Sequence, residues 1–346
     1  MLVSLIALVG VTLFVPAPAV SRAVGVVAIR RPPLVQLVRA VKLGDEMEIE
    51  RLATRIGVPR LERAAETGTS TERLAALRAL PLCSDSWSSL TRLAVLAAKA
   101  QEPEVALAAA TAARRIADGL APERIEAEEI PSDIPREAAK ALLIGAQSPS
   151  LAPAVRAPLV MAVAGLRAVT SVDEPALMAL LADGNLDVRR AAAESLAGVG
   201  AADGALGKTL ASDSSALVAA AAAASLCRDV ASSPLVVPIK KGKEVKAPAT
   251  ATPKPAAPPL QNLRALAEAR AAALAPPARE RLRALAVDEL VTLADRLDLL
   301  GCLRVASSPA DRELLDQLAK KGPEALRRRA KSLISIGSTS GASGAH

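Results

Sequence analysis

The chain is poor in the residues that do most chemistry. In 346 residues it has one histidine, three cysteines, one tryptophan, one phenylalanine and no tyrosine. The only histidine is His346, which leaves no imidazole general base, His–Asp dyad or imidazole metal site. Two aromatics cannot build a stacking platform for single-stranded nucleic acid or a cage for a cation. Cys83, Cys227 and Cys302 lie far apart, giving neither a disulfide framework nor a zinc knuckle. Each reads as a small buried hydrophobe. A Cys83–Cys227 bridge would suit an exported protein but leave one thiol over. No catalytic residue, cofactor or metal site is therefore expected.

What is present is apolar and small. Apolar residues make up 51% of the chain and charged residues 23%, and alanine alone exceeds a fifth. Alanine and leucine are the strongest helix formers, and the β-branched and aromatic excess of a sheet protein is missing. The expectation is an all-α fold. Small side chains bury little area each, so the core must be assembled from many thin layers. The net charge of +7 is unevenly spread. Residues 239–346 carry 19 Lys+Arg against 11 Asp+Glu, and the preceding residues are near neutral. Such a surplus attracts acidic proteins, anionic lipids or phosphates, or simply confers solubility.

Residues 2–15 form an uncharged apolar run, followed by Pro16-Ala17-Pro18-Ala19. The run is short for a membrane span and suits a signal-peptide core, with cleavage after Ala19. Against this, no basic residue precedes it, and apolar character resumes at Val24–Ile29 before Arg30-Arg31. Residues 2–29 could then be an uncleaved anchor, or a buried hydrophobic helix. The expected location is extracytoplasmic (periplasmic) or anchored in the inner membrane, rather than cytoplasmic.

Helical spacing begins at Ile49, Leu52, Ile56 and Leu61, divided by Gly57 and Pro59. Thr69 and Glu72 make a capping box, and Pro81 ends the helix it opens. Further helices are expected near 86–100, 103–118, 136–146 and 153–169, with an acidic connection at 121–135. A repeat then emerges. Asp183, Val188, Ala191–Ala193, Ser195 and Leu196 recur as Asp213, Val218, Ala221–Ala223, Ser225 and Leu226, at a spacing of 30. A short helix precedes each copy, at 175–182 and 205–211, and a looser copy ends at Val155-Arg156. Two helices per period of 30–33 mark an α-solenoid.

Pro175–Asp183 with Asp187-Val188-Arg189-Arg190-Ala191-Ala192-Ala193 and Leu196 resembles the HEAT-like repeat. It is most similar to the short bacterial form often labelled PBS-lyase HEAT-like. The resemblance is strong over about 174–230, loose over 70–170 and weak over 261–336. It implies a superhelix of antiparallel helix pairs, as in HEAT and armadillo proteins. It also implies that Asp183 closes the turn between the helices, that Val188 packs inward, that Arg189 lies on the second helix and that Ala191–Ala193 form the close helix–helix contact; Leu196, Asp213, Val218 and Leu226 are the other structural repeat positions. The second copy has Ala219 and Ala220 where the family usually has arginine, so its surface should be bland.

The expected division is an N-terminal signal or anchor at 1–19, a connecting segment at 20–44 and a repeat domain at 45–231. A Pro/Ala/Lys-rich linker at 232–260, a C-terminal helical domain at 261–336 and a disordered tail at 337–346 complete it. The C-terminal helices are expected near 261–274, 277–300, 309–320 and 323–335.

Four other features bear on function. Ala202–Thr209 loosely matches a phosphate-binding loop, but no strand precedes it and Lys208-Thr209 should fall inside a helix. Glu126, Glu128, Glu129 and Asp133 form an acidic cluster without the spacing of a calcium loop. Trp87 reads as a packing residue. Lys320, Lys321, Arg327, Arg328, Arg329 and Lys331 form the densest basic run, a candidate contact patch. The leading expectation is a non-catalytic scaffold with one or more protein partners. The alternatives are a module binding an anionic membrane surface or acidic partners through the basic C-terminal region, and, remotely, a lyase-like accessory protein. Positive charge without a groove-reading motif does not support specific nucleic-acid binding.

Overall fold

Proline and small polar residues open the helices. Pro103, Pro122, Pro153, Pro276 and Pro309 each stand in a first turn, where the missing N–H costs nothing. Asp45, Asp173 and Asn185 accept from the N–H groups of Glu48, Ala176 and Asp187. The Glu72 carboxylate accepts from the Thr69 N–H at 2.9 Å and its hydroxyl at 2.8 Å, and Asp311 does the same for Ser308.

The computed structural model describes residues 32–231, 273–306 and 308–339. The expectations for the N-terminal apolar run, for the linker at 232–260, for nearly all of the helix at 261–274 and for the tail from 340 lie outside the described residues. Among the described residues are seventeen α-helices, four short 3-10 turns and no strand. The helices are α1 (Pro33–Leu43), α2 (Glu46–Ile56), α3 (Val58–Thr67), α4 (Ser70–Ala79), α5 (Leu90–Lys99) and α6 (Pro103–Asp118). Next come α7 (Pro122–Ala127), α8 (Asp133–Gln147), α9 (Pro153–Leu166), α10 (Glu174–Ala179), α11 (Leu186–Ser195), α12 (Asp203–Ser212) and α13 (Ala216–Ala231). The last four are α14 (Pro276–Val287), α15 (Leu293–Ala306), α16 (Pro309–Lys321) and α17 (Glu324–Thr339).

Their packing is that of an α-solenoid. Every second helix touches its equivalent in the next pair: α4 on α6, α6 on α9, α9 on α11, α11 on α13, α13 on α15, and α15 on α17. The first helices of pairs form a second row in part, with α5 on α8 and α12 on α14. Within pairs, α5 packs on α6, α8 on α9, α12 on α13, α14 on α15 and α16 on α17. Each unit thus contacts its neighbours, as in a one-dimensional array. A single buried cluster runs from Leu37 to Leu333, so the helices beyond residue 273 share one core with those before 231.

Small residues set the layer spacing. A Cβ added at Gly165 of α9 would lie 2.9 Å from the Ala117 carbonyl carbon of α6, so the two backbones meet with no side chain between them. Alanines 109, 110, 112 and 113 of α6 and 191–193 of α11 are buried in the same way.

The structure differs from expectation in several places: α1 lies within the segment 20–44 expected to be a connection, and α17 runs to Thr339, past the expected start of the tail at 337. The segment 277–300 is two helices, α14 and α15, broken at 288–292. Asp288 accepts from the Leu290 N–H there, and the Thr292 hydroxyl accepts from the Asp295 N–H, opening α15. The acidic connection holds a short helix, α7, and 86–100 begins as a 3-10 turn at Ser86–Ser89. The alanines of α13 are not a bland surface: Ala219 to Ala223 are all buried, with α11, α12, α14 and α15 packed around the helix. Finally, Cys227 and Cys302 form a disulfide joining α13 to α15, with Cα atoms 5.5 Å apart. Neither is a free thiol, and the one left over is Cys83.

Candidate functional site

The charged residues nearest the core form a ladder between repeats. Arg156 of α9 donates through Nε to the Ala146 carbonyl at the end of α8, at 2.8 Å. Its two terminal nitrogens grip the Asp183 carboxylate, one of them at 3.3 Å. Asp183 also accepts from the Asn185 N–H at 2.9 Å, which holds the turn before α11. Arg189 of α11 repeats the pattern. It grips Asp213 at 2.8 and 3.1 Å and donates to the Asp183 carbonyl at 3.0 Å. Asp213 in turn accepts from the Ser215 N–H at 2.8 Å before α13.

Two more arginine–acid pairs join successive helix pairs, and the first repeats the carbonyl-and-carboxylate pattern. Arg73 of α4 donates to the Ala65 carbonyl at 3.1 Å and to Glu102 at 3.0 Å. Arg283 of α14 reaches Asp311 at 3.0 Å, and Asp311 is wholly buried in the first turn of α16, where it completes the capping box with Ser308. In three rungs the acid stands in the turn of the next helix pair, and in the fourth it lies in the first turn of α16. The planar guanidinium suits this, because it can serve a carboxylate and a carbonyl together.

The electrostatics reflect this arrangement. Burial opposes ionisation of Asp183, but the Arg156 hydrogen bonds, the Asn185 N–H and the Arg156 and Arg189 charges outweigh it. Its carboxyl ends below the ordinary range. Asp213 is lowered on the same balance, with burial opposed by the Arg189 hydrogen bonds, the Ser215 N–H and the Arg189 and Arg281 charges. The Arg189 guanidinium is held further towards its charged form, chiefly by the hydrogen bond to Asp213. These carboxylates and guanidiniums saturate one another and hold helices rather than ligands.

The repeat positions read from sequence divide between core and ladder. Val188, Leu196, Val218 and Leu226 are buried, and Asp183, Arg189 and Asp213 are in the ladder. Sequence reading missed the Arg73–Glu102 and Arg283–Asp311 rungs. Their separations of 29 and 28 residues are close to the repeat period, the one signal that pointed to them.

The remaining candidates separate. Lys320, Lys321 and Lys331 are exposed, Arg327 and Arg329 are half-buried, and Arg328 pairs with Glu324. The phosphate-loop-like segment is a 3-10 turn followed by α12, and the Thr209 hydroxyl donates to the Ala205 carbonyl at 3.0 Å. Trp87 packs on the core and donates from Nε1 to Glu128 at 3.0 Å. Arg124 ties the same Glu128 at 2.8 Å, so the acidic connection is anchored to the corner after α4. No cluster of His, Cys, Asp and Glu among the described residues could hold a metal ion. Cys83 donates to the Ala53 carbonyl at 3.6 Å, and burial, with the Asp85 charge, pushes its thiol to about 11. A thiol so protonated is a poor nucleophile.

The order of the helices, their row-on-row packing and the ladder define an all-α protein of the α-solenoid class. No family model matches the chain, and no curated protein does. Solved structures are similar to it. The crystal structure of Kap121p aligns at 18% identity and a TM-score of 0.49 over 85% of this chain and 27% of that one. Kap121p bound to Pho4p aligns at 19% identity and a TM-score of 0.47, over 83% and 27%. Kap121p bound to Ste12p aligns at 17% identity and a TM-score of 0.39, over 82% and 29%. The chain spans little more than a quarter of the length of these structures.

Proposed function

We propose that this chain is a non-catalytic protein–protein interaction scaffold of HEAT-like repeats, of the short bacterial type, exported or tethered to a membrane. The observation that carries the scaffold reading is the ladder. It commits the arginines and acids nearest the core to joining successive repeats, so the molecule offers a long, internally braced surface. Stacked helix pairs make extended binding faces of this kind. Export is supported by the Cys227–Cys302 bridge, since disulfides persist in oxidising compartments, and by the apolar run at 2–15. No helix among the described residues is long and apolar enough to cross a membrane, and the tether reading rests on the apolar residues 2–29.

Intact mass and N-terminal sequencing of the native protein from fractionated cells tests the location. A chain beginning at Val20, oxidised at Cys227 and Cys302, in an extracytoplasmic fraction is the expected result. A full-length oxidised chain in the membrane fraction supports the tether instead. A full-length, reduced chain in the cytoplasm overturns both. Cross-linking of the intact protein in its native fraction tests the scaffold: a stoichiometric protein partner retained at high salt is expected, and its absence overturns the reading. The exposed Lys320, Lys321 and Lys331 favour a second reading, attachment to acidic partners or anionic lipid by charge. Salt-sensitive retention on anionic vesicles would select it.

A further inference from the structure

One surface is not used by the ladder. The last turn of α16 and the start of α17 meet the end of α14 around a groove of about 570 Å³. Its apolar lining comes from Val287, Leu314, Leu318 and Pro323, and its polar lining includes Lys320 and Lys321. That volume is within the range of sites that take small molecules or a few side chains. Val287, at the groove's edge, is itself 44% exposed.

Three carboxylates of α16, α17 and the turn after α14 have other partners. Glu324 pairs with Arg328, Glu313 accepts from Gln317, and Asp288 accepts from the Leu290 N–H. Neither Lys320 nor Lys321 pairs with a carboxylate among the described residues, although Asp316 lies one turn before Lys320. The groove therefore joins an apolar lining to two lysines that pair with no carboxylate among the described residues. Its complement is an apolar side chain flanked by carboxylates.

We propose that this groove receives a short acidic segment of a protein partner. The segment's apolar side chain packs on Val287, Leu314 and Leu318, and its carboxylates meet Lys320 and Lys321. This deepens the scaffold reading and rests on it. A peptide is favoured over a lipid surface because the apolar part lies in a bounded groove between helix ends. A membrane-surface contact would instead use a continuous amphipathic helix face.

The test uses the purified full chain and a fluorescein-labelled peptide, Glu-Asp-Leu-Phe-Asp-Glu. A Kd of about 10–100 μM is expected. Replacing the carboxylates by amides, or Leu-Phe by Gly-Ser, should weaken it by at least about tenfold. The variants Lys320→Glu/Lys321→Glu and Val287→Asp should do the same while keeping the parent's thermal melt. Absence of binding at about 1 mM peptide overturns the proposal. So does equal binding of the amide peptide, or binding unchanged in the lysine variant. Phosphatidylserine vesicles that bind in place of the peptide, with the same lysine dependence, also overturn it and assign the surface to lipid. Peptide titration reports on the groove alone and cross-linking on the whole molecule, so the two readings fail independently.

Discussion

The two clearest copies of the repeat, α10–α11 and α12–α13, put equivalent positions in different surroundings. In the first copy the Arg190 side chain is 40% exposed and pairs with Glu194 one turn on in α11. In the second copy the same position is Ala220, which is 1% exposed. Arg189 reaches forward to Asp213, whereas its counterpart Ala219 can extend no rung. The layer after α13 is joined differently, by packing of α15 on α13 and by the Cys227–Cys302 bond. Repeat position sets which way a residue points, but the next layer decides whether that side meets water. A helix apolar on every side is one with neighbours on every side.

The comparison can be broken most sharply at the alanines. Ala220→Arg places in α13 the residue that α11 carries at Arg190. Burying an unpaired charge in an enclosed site should cost more than about 4 kcal/mol, read as loss of the cooperative thermal transition or of soluble protein. A melt within a few degrees of the parent would show that α13 is not enclosed.

Next is the bond that joins α13 to α15. Its 75-residue separation puts the loss for Cys227→Ala/Cys302→Ala at about 4 kcal/mol in urea unfolding. The parent should lose the same amount on adding dithiothreitol, and the variant nothing. Equal stability of the oxidised and reduced parent would remove the bridge from the account.

The ladder comes third. Asp213→Ala strands Arg189 and should cost roughly 3 kcal/mol, and Asp183→Ala should act likewise on Arg156. Both carboxyls lie below their unfolded values, so their contribution is complete above the ordinary carboxylate range. It is lost as pH falls through the folded values. Stability of the parent should therefore drop below about pH 4, and Asp183→Asn/Asp213→Asn should flatten that drop. An unchanged acid limb in the double variant would show that the rungs do not set it.

Arg190→Ala should have the smallest effect, about 0.5 kcal/mol, because its i,i+4 pair with Glu194 is half open to solvent. Set beside Ala220→Arg, it measures how differently one repeat position is used in two copies.

Much of the local structure was legible in the sequence. Pro103 and Pro153 mark the starts of α6 and α9, and the Thr69–Glu72 and Ser308–Pro309 signals mark α4 and α16. Such signals act through a turn or two of backbone, which a sequence displays directly. The break between α14 and α15 was missed because no glycine or proline marks it; Thr292 and Asp295 supply the cap instead. Of the ladder, Asp183, Arg189 and Asp213 were legible as repeated letters. Glu102 and Asp311 were not, since the acid of a rung is recognised only when the next turn is brought beside the arginine.

Composition, helix spacing and the 30-residue repeat were thus enough to determine an all-α stack of helix pairs, because helix propensity and side-chain periodicity are local properties. Tertiary structure alone decided that α13 is enclosed, that Cys227 pairs with Cys302 rather than Cys83, and that Lys320 and Lys321 border an apolar groove. Each of these depends on segments distant in the chain meeting at one layer boundary, and burial is a property of that meeting.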